Sequence, residues 1–478
     1  MKFRPGYLAL APLAPLGAAV AHAALTPRKT SAYQPQPDPD RAMAYAEKLS
    51  AMIRCDTTSH ANVREPEKFE RFHALLAELF PLVHEKLART DIDGNLLYCW
   101  KGRRSTDPIV LMSHQDVVPA EGDWGHPPFS GDIADGKVWG RGTADTKASL
   151  MAFFQAVEEL LAEGYEPEQD VYLASSCTEE WAGDGAPKLV AELKRRGVRP
   201  FLVLDEGGAI ITDPIGGIQG NFAMVGVFEK GKADVKFTAR SSGGHASAPS
   251  PNSPIARLSA FVNDVETRPP FRRKIMPEVR AMFEELAHYA PFGLRLVLGN
   301  QWLFGPVLKQ VLPKISAQAG AMLQTTIAFT TQSGSDASNV LPQEATLGAN
   351  MRFIPHQGEQ ESLEIIGRLA TKHGLEMEVL HSNDYTAPVD LNGKAFRQVE
   401  QVIRQTFPGL PCSPYVVTGA TDAQFYQEIC DSCIRFVPII YGPEQMKGMH
   451  GLNETVAYNC LPGAVDFYKN LIRAQEQN

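Results

Sequence analysis

The sequence predicts an α/β protein with a mostly parallel, βα-wound sheet, into which a second α+β domain is inserted. From about residue 40 to about residue 220, short apolar runs typical of buried strands alternate with segments of helical periodicity. Such alternation is the order of a parallel sheet with crossover helices. From Gly226 onward the order of the elements changes. These two observations predict the fold class.

The segment after Gly226 predicts a ferredoxin-like unit, because its elements follow the order β-α-β-β-α-β. The strands and helices are predicted at 233–239, 254–265, 324–330, 345–353, 359–373 and 375–380. After Asp384 the first domain resumes, with helices near 394–406 and 462–473. Residues 268–321 are predicted to be an irregular insertion. This insertion could add packing to the fold. The functional alternatives are that it forms a wall of the substrate site, against an apolar acyl or side-chain group, or that it forms a dimer contact.

Composition agrees with a large enzyme-like protein. The 478 residues predict two or three domain-sized units, and a hydrophobic content of 44% is ordinary. The net charge is −9, and the basic footprint of a nucleic-acid-binding protein is absent. The sequence therefore predicts no nucleic-acid partner.

A histidine and a carboxylate follow the apolar run that ends at Ser113. His114 and Asp116 share a face, because residues two apart on a strand point the same way. A metal-binding histidine usually donates its other ring N–H to a carboxylate or carbonyl, which is a role for Asp116. Asp145 comes after a glycine-rich turn and before a strongly helical segment. The alternatives are a histidine–aspartate hydrogen bond without a metal, and a helix cap at Asp145.

Further polar residues follow other predicted strands. Glu179 and Glu180 follow 170–177, Asp205 follows 201–204, and His450 comes after 435–442. In open α/β sheets, ligands bind at the carboxyl ends of the strands. One glutamate of the adjacent pair could bind a metal while the other acts as general base; the alternative is a solvated acidic turn. Two histidines and three acids suit two metal ions that share a bridging carboxylate, whereas one catalytic zinc needs three protein ligands.

Seven motifs in order give the chain a specific resemblance. It resembles metallopeptidase family twenty, the zinc carboxypeptidase, aminoacylase and acetylornithine deacetylase group, and within it the carboxypeptidase S and N-acyl-amino-acid hydrolase branch. The motifs are S-H-Q-D-V-V-P, G-R-G-T-A-D-T-K, E-E-W-A-G-D-G-A, D-E-G-G, G-G-H-A-S-A-P, S-N-V-L-P and M-H-G-L-N-E. Two positions depart from the family's pattern, Thr178 and Asn453, and neither is a proposed ligand.

The resemblance implies a role for each metal-site residue. Asp145 would bridge two ions, His114 and Asp205 would complete one site, and Glu180 and His450 would complete the other. Glu179 would be the general base. The implied cofactor is Zn²⁺, two ions per subunit, with Co²⁺ or Mn²⁺ also compatible with mixed histidine and carboxylate ligands.

The resemblance also implies residues that meet the substrate. His245 corresponds to a lid histidine that steadies the developing oxyanion, often in a partner subunit. Asn339 and Arg352 match polar lid residues, and Gly419 and Thr421 match the loop that holds the substrate's carboxylate. The implied substrate is a peptide or an N-acyl amino acid, and the lid could also form a homodimer. The alternatives are a dipeptidase or deacetylase of the same family and a catalytically inactive binding protein.

The N-terminus predicts a targeting segment, because Lys2 and Arg4 precede a mostly apolar stretch that ends near residue 25. Seven cysteines, an odd number, suit a reducing compartment better. The expectation is membrane association or export, with a cytoplasmic location as the alternative. The predicted units are a signal peptide or membrane anchor (1–25), a linker (26–40), a catalytic domain in two parts (41–225 and 382–478) and an inserted lid or dimerisation domain (226–381).

Overall fold

The computed structural model describes residues 13–61 and 63–475. Its strands are β1 (Ala88–Ile92), β2 (Asn95–Trp100), β3 (Arg104–Met112), β4 (Ile133–Ala134), β5 (Lys137–Trp139), β6 (Gln169–Ser175), β7 (Leu202–Thr212), β8 (Asn221–Glu229), β9 (Gly231–Arg240), β10 (Gly244–His245), β11 (Thr326–Ser333), β12 (Val340–Leu341), β13 (Glu344–Phe353), β14 (Glu376–Asn383), β15 (Cys412–Val417), β16 (Cys433–Tyr441) and β17 (Thr455–Ala457).

Its α-helices are α1 (Leu13–Leu25), α2 (Pro39–Ile53), α3 (Pro66–Leu79), α4 (Pro81–Lys86), α5 (Ala148–Ala162), α6 (Gly185–Arg195), α7 (Pro254–Thr267), α8 (Pro277–Ala287), α9 (Phe292–Leu298), α10 (Gln301–Ile315), α11 (Ala317–Ala321), α12 (Glu359–Lys372), α13 (Lys394–Thr406), α14 (Ala423–Tyr426), α15 (Pro443–Gly448) and α16 (Leu461–Ala474).

The main sheet has eight strands in the order β1-β2-β6-β3-β7-β16-β8-β15. The four central strands β6, β3, β7 and β16 are parallel to one another, and β15 is parallel to β8. The edge pair β1–β2, the pair β2–β6 and the hairpin β7–β8 are antiparallel. The prediction of a mostly parallel α/β sheet is therefore confirmed, with antiparallel additions.

Both faces of the main sheet are buried, which explains the continuous apolar runs of its strands. On β3, Ile109 and Leu111 point into one core cluster, whereas Val110 and Met112 point into the cluster on the opposite face. Helices α5 and α16 cover the first face, and α6 and α14 cover the second. The polar residues that follow these strands are thus held by a sheet that is packed on both sides.

A second sheet is antiparallel, in the order β11-β13-β9-β14. With α7 and α12 it forms a separate core that includes Phe237, Phe261 and Met351. The order β9-α7-β11-β13-α12-β14 is the ferredoxin-like order that the sequence predicts. The chain leaves the main sheet after Glu229 and leaves the second sheet after Asn383. Along the chain, this sheet is therefore an insertion between β8 and α13.

The prediction of an irregular insertion at 268–321 is wrong, because helices α8 to α11 occupy most of this segment. Pro306 and Pro313 lie inside α10, and prolines within a helix hide its pattern from sequence reasoning. The buried face of α8, with Met282 and Phe283, packs into the core of the main sheet and not into that of the second sheet. The predicted unit 226–381 therefore contains a helical segment that belongs to the main body.

The first described helix, α1, packs against this helical segment. The side-chain amide of Asn300 donates to the carbonyl of Ala19 at 3.3 Å, and its side-chain oxygen lies 3.0 Å from Nδ1 of His22. The predicted linker is also anchored, since the ring of Tyr33 lies edge-on to Phe407. The first half of the predicted targeting segment, residues 1–12, lies outside the described residues. Among the described residues, none of the helices is long and apolar enough to cross a membrane.

Candidate metal centre

The candidate site lies at the carboxyl ends of the central strands. His114 follows β3, and Glu179 and Glu180 follow β6. On β7, Asp205 and Glu206 come directly after Leu204, the last residue of this strand that pairs with β3. Asp145 lies before α5 and His450 follows α15. Adjacent parallel strands bring these otherwise distant parts of the chain to the same edge of the sheet.

Asp145 lies between two histidines. Its Oδ1 is 3.0 Å from Nε2 of His114, and its Oδ2 is 3.0 Å from Nε2 of His450. Nε2 of His114 also lies 3.4 Å from Oε1 of Glu206, and Nε2 of His450 lies 3.2 Å from Oε2 of Glu180. One oxygen of Asp145 thus faces His114, which lies beside Glu206, and the other faces His450, which lies beside Glu180.

These side chains could hold metal ions. Ligand atoms of His114, Asp145 and Glu180 lie within 4.8 Å of one another, and so do those of His114, Glu179 and Glu206. Imidazole and carboxylate donors together suit zinc, manganese or cobalt. The set of donors therefore fits a centre of divalent cations.

The structure corrects one predicted ligand, because Glu206 and not Asp205 lies beside His114. Neighbouring residues on a strand point to opposite faces of the sheet. Oδ2 of Asp205 accepts a hydrogen bond from the backbone N–H of Ala423 at 2.8 Å, so this carboxylate is directed elsewhere. The sequence D-E-G-G does not reveal which of its two acids faces the site.

Asp116 supports the site in two ways. Its backbone carbonyl accepts a hydrogen bond from Nδ1 of His114 at 2.9 Å, which leaves Nε2 free to face the cluster. Its carboxylate accepts the backbone N–H groups of Glu179 and Glu180, both at 3.2 Å, and the hydroxyl of Ser59 at 2.6 Å. The carboxylate of Asp116 therefore positions the backbone of Glu179 and Glu180, whereas its backbone carbonyl mainly orients the imidazole of His114.

Replacing Asp116 with alanine is expected to lower metal affinity or activity by about 10- to 100-fold, the usual loss when a residue supporting a metal ligand is removed. Because the backbone carbonyl remains, we attribute this loss to the released backbone of Glu179 and Glu180. Asp116→Asn keeps one oxygen acceptor and should retain more activity. The measurements are metal affinity by competition with a chelator and kcat/KM. Wild-type values in both variants would contradict the assignment.

A buried glutamate that the sequence interpretation gave no role holds the turn before α5. The carboxylate of Glu454 accepts backbone N–H groups of Gly142 (2.9 Å), Ala144 (2.7 Å) and Asp145 (3.0 Å), and it pairs with Arg141 at 2.7 Å. At Gly142, φ is +88° and a Cβ would lie 2.6 Å from a methyl of Val117. In the sequence, Glu454 lies four residues after the predicted ligand His450. This short spacing was the signal that could have indicated a supporting role for Glu454.

Burial and crowding change the protonation of the cluster. Burial raises the pKa of Glu179 well above its ordinary range and that of Glu206 to about 8. Burial also favours protonation of Asp145, but the hydrogen bonds from His114 and His450 lower its pKa. Hydrogen bonds to Asp145 and Glu180 raise the pKa of His450 to about 10. Carboxylates that lie close together repel each other, and divalent cations would relieve this repulsion.

Two of the five residues predicted to meet the substrate lie beside the cluster. Gly419 and Thr421 line a cavity of about 510 Å³ together with Asp145 and Glu206. The backbone N–H of Thr421 donates to Glu229 at 2.9 Å, and its hydroxyl donates at 2.5 Å. The loop is therefore held by a buried carboxylate at the end of β8.

The other predicted substrate contacts lie on the second domain. His245 is exposed, and its Nδ1 forms a 2.7 Å hydrogen bond with the hydroxyl of Ser247. Asn339 is exposed beside it, next to the pairing of β10 with β12. Arg352 is partly buried and donates to Asn350 at 3.0 Å. As far as the described residues show, none of the three lines the 510 Å³ cavity or joins the groups of ligand atoms.

Residues 110–474 match the family model of peptidase family M20/M25/M40. The chain belongs to this family. It is 33% identical over 421 residues to a probable carboxypeptidase S-like 2 from Dictyostelium discoideum, covering 86% of this chain and 80% of that protein. It is also 33% identical over 442 residues to an N-fatty-acyl-amino acid synthase/hydrolase from Xenopus tropicalis, covering 89% of this chain and 85% of that protein.

The fold is shared with solved members of the family. The M20 family metallo-carboxypeptidase of Sulfolobus solfataricus superposes with a TM-score of 0.68 at 16% identity, covering 91% of this chain and 99% of that one. The resemblance stated from the motifs is thereby confirmed. The chain is a hydrolase of amide bonds, of the carboxypeptidase or N-acyl-amino-acid hydrolase type.

Proposed function

We propose that the chain is a two-metal amidohydrolase that cleaves N-acyl amino acids with long apolar acyl groups. The observation that carries the two-metal part is the position of Asp145, whose two oxygens each lie 3.0 Å from a different histidine. Two ions bridged by one carboxylate would use this arrangement directly. Glu180 and His450 would hold one ion, and His114 and Glu206 the other.

Divalent ions at this place would polarise the substrate carbonyl and make a water acidic enough to attack it near neutral pH. The protein's own part is to move the proton. We assign this role to Glu179, whose backbone N–H is held by Asp116 and whose carboxylate lies near His114 and Glu206. It would accept the proton of the attacking water and return it to the departing amine.

Support for a long apolar acyl group comes from the cavity beside the cluster. Its lining is rich in methionine, an adaptable side chain that suits irregular apolar ligands, and it includes Met224, Met282, Met322, Met446 and Met449. At 510 Å³ the cavity is in the size range of sites that enclose a whole small-molecule ligand, so it has room for an acyl group beside the amino acid part of the substrate. Hydrolases of N-fatty-acyl amino acids among the relatives agree with this interpretation.

A substrate panel tests the proposal. The metal-reconstituted protein is assayed with N-acyl amino acids of increasing acyl length and with dipeptides. We expect kcat/KM to increase with acyl length until the cavity is filled. Faster hydrolysis of dipeptides than of every N-acyl amino acid would favour the dipeptidase alternative. If the metal-loaded protein hydrolyses none of these substrates, the interpretation as a catalytically inactive binding protein is favoured.

Two substitutions at one residue test the cavity itself. Met322 lines the cavity from the helical segment. Met322→Ala lengthens the cavity and should move the preferred acyl group to longer chains, whereas Met322→Phe shortens it and should favour shorter ones. A folding defect would change both variants in the same direction, so opposite shifts identify the cavity. An unchanged chain-length profile in both would remove the cavity from the proposal.

The second domain is proposed as the lid. His245 and Asn339 are exposed on the small β10–β12 sheet, which leaves them available to reach a substrate on closure or to reach the site of a second chain. Lids of this kind exclude water and complete a catalytic site. A homodimer through this domain remains part of the proposal.

A further inference from the structure

Exposed apolar side chains are concentrated on one part of the molecule. Eight of the sixteen large hydrophobic residues that are exposed in the described chain belong to α1, α9 and α10. They are Leu16, Val20, Leu25, Phe292, Trp302, Val307, Val311 and Ile315. Scattered exposed apolar residues need no explanation, but a concentration of this kind marks an interaction surface. We call these residues the apolar face.

The exposed side of α10 is a continuous stripe. Val307, Val311 and Ile315 follow each other at intervals of four residues, which places them on one side of the helix. The exposed fractions of Val307 and Ile315 are 59% and 71%. The opposite side of the helix, with Gly305 and Leu308, is buried. Within the described residues, helix α10 therefore packs with one side and leaves an apolar side uncovered.

Helix α1 packs against α9 and α10, and it also exposes apolar side chains. Leu16 and Val20 are also four residues apart and exposed, whereas Ala19 and Ala23 are buried. Asn300 joins the two helices, because its side chain donates to Ala19 and accepts from the indole N–H of Trp302 at 3.3 Å. The apolar face thus spans two helices that are fixed to each other.

The two parts of the chain that build the apolar face are rich in basic residues, although the protein as a whole carries −9. Residues 286–335 contain no acidic residue and include Arg295, Lys309 and Lys314. Residues 13–37 also contain no acidic residue and include Arg28 and Lys29. The nearest acids in sequence are Glu284 and Glu285 of α8, and Glu284 lies with His22 and Arg295 around a small cavity. Both parts of the chain that build the face therefore combine apolar and cationic side chains.

We propose that the apolar face binds the surface of an anionic lipid bilayer, with α1 and α10 lying in the interface. Amphipathic helices with apolar and basic residues bind in this way, basic residues are attracted by anionic headgroups, and tryptophan favours the interfacial region. A second copy of the chain fits less well. A two-fold interface would bury Lys314, which lies on the exposed side of α10, among the cationic residues of both copies, where like charges repel. This inference does not depend on the proposed activity.

Co-sedimentation of the full-length protein with vesicles tests the proposal. We expect binding to phosphatidylcholine vesicles that contain phosphatidylglycerol, weaker binding to pure phosphatidylcholine, and a decrease with added salt because the charge attraction is screened. The double variant Val307→Glu/Ile315→Glu should reduce the partition coefficient by at least about tenfold, because two exposed apolar side chains become charged. Its hydrolytic activity on a short, water-soluble substrate should not change.

The matched control is Ile255→Glu/Leu380→Glu, which makes the same charge change at two exposed residues of the second domain, with exposed fractions of 42% and 60%. It should bind vesicles like the wild type. Equal loss in both double variants would overturn the proposal, and so would a wild type that does not bind anionic vesicles. A wild-type dimer in solution that dissociates only in the Val307→Glu/Ile315→Glu variant would also overturn it, by assigning the face to a second copy.

Discussion

Glu179→Gln is expected to lower kcat by about 10²- to 10⁴-fold, the usual effect of removing a general base, while the metal content stays unchanged. The amide has the size of the carboxylate but cannot accept the proton of the attacking water. Its backbone N–H can still donate to Asp116, so the turn that also carries Glu180 should be kept. The measurements are single-turnover hydrolysis of an N-acyl amino acid and metal content by mass spectrometry.

The comparison of kcat with metal content decides what Glu179 does. Loss of activity with full metal content would support a role in proton transfer. Loss of activity together with loss of metal would make Glu179 a ligand, which the closeness of His114, Glu179 and Glu206 would accommodate. Activity near the wild-type value would contradict both roles.

Glu206→Gln is expected to remove one metal ion per chain and to lower kcat/KM by a factor comparable to that of Glu179→Gln. The carboxylate of Glu206 lies 3.4 Å from Nε2 of His114, and a neutral amide is a much poorer ligand for a divalent cation. Asp205→Asn is the matched control, because it makes the same chemical change at the adjacent residue. Its oxygen can still accept the backbone N–H of Ala423, so metal content should stay at the wild-type value.

The two neighbouring substitutions give opposite results if the structural assignment is right. Loss of metal in Asp205→Asn with retention in Glu206→Gln would restore the assignment made from the motif alone. Loss of metal in both variants would show that the pair acts together. Metal content is the deciding readout, since a change of activity alone could follow from any disturbance of β7.

Much of the site was predictable from sequence because its residues follow recognisable buried strands. His114, Asp145, Glu180 and His450 were chosen from strand ends, a glycine turn and the order of the motifs, and the structure brings all four together. The choice between Asp205 and Glu206 was not predictable. It depends on which face of β7 meets the cluster, and both residues follow the same apolar run.

Other features depended on contacts between distant parts of the chain. The role of Glu454 becomes visible only when its carboxylate is found beneath the turn at Gly142, more than three hundred residues earlier. Helix α10 was missed because two prolines interrupt its pattern. Extra packing was one interpretation of residues 268–321, whereas the described structure leaves the apolar side chains from Val307 to Ile315 exposed. Burial is a property of the assembled fold, and the periodicity of one segment does not determine it.

Titration of the metal-free protein with Zn²⁺ tests the central claim most directly, with bound metal and hydrolysis of a long-chain N-acyl amino acid measured on the same samples. A centre bridged by Asp145 predicts that two ions bind per chain and that activity reaches its maximum only when the second is bound. Full activity with one ion per chain, and no further binding to the groups around His450 or Glu206, would contradict the two-metal account.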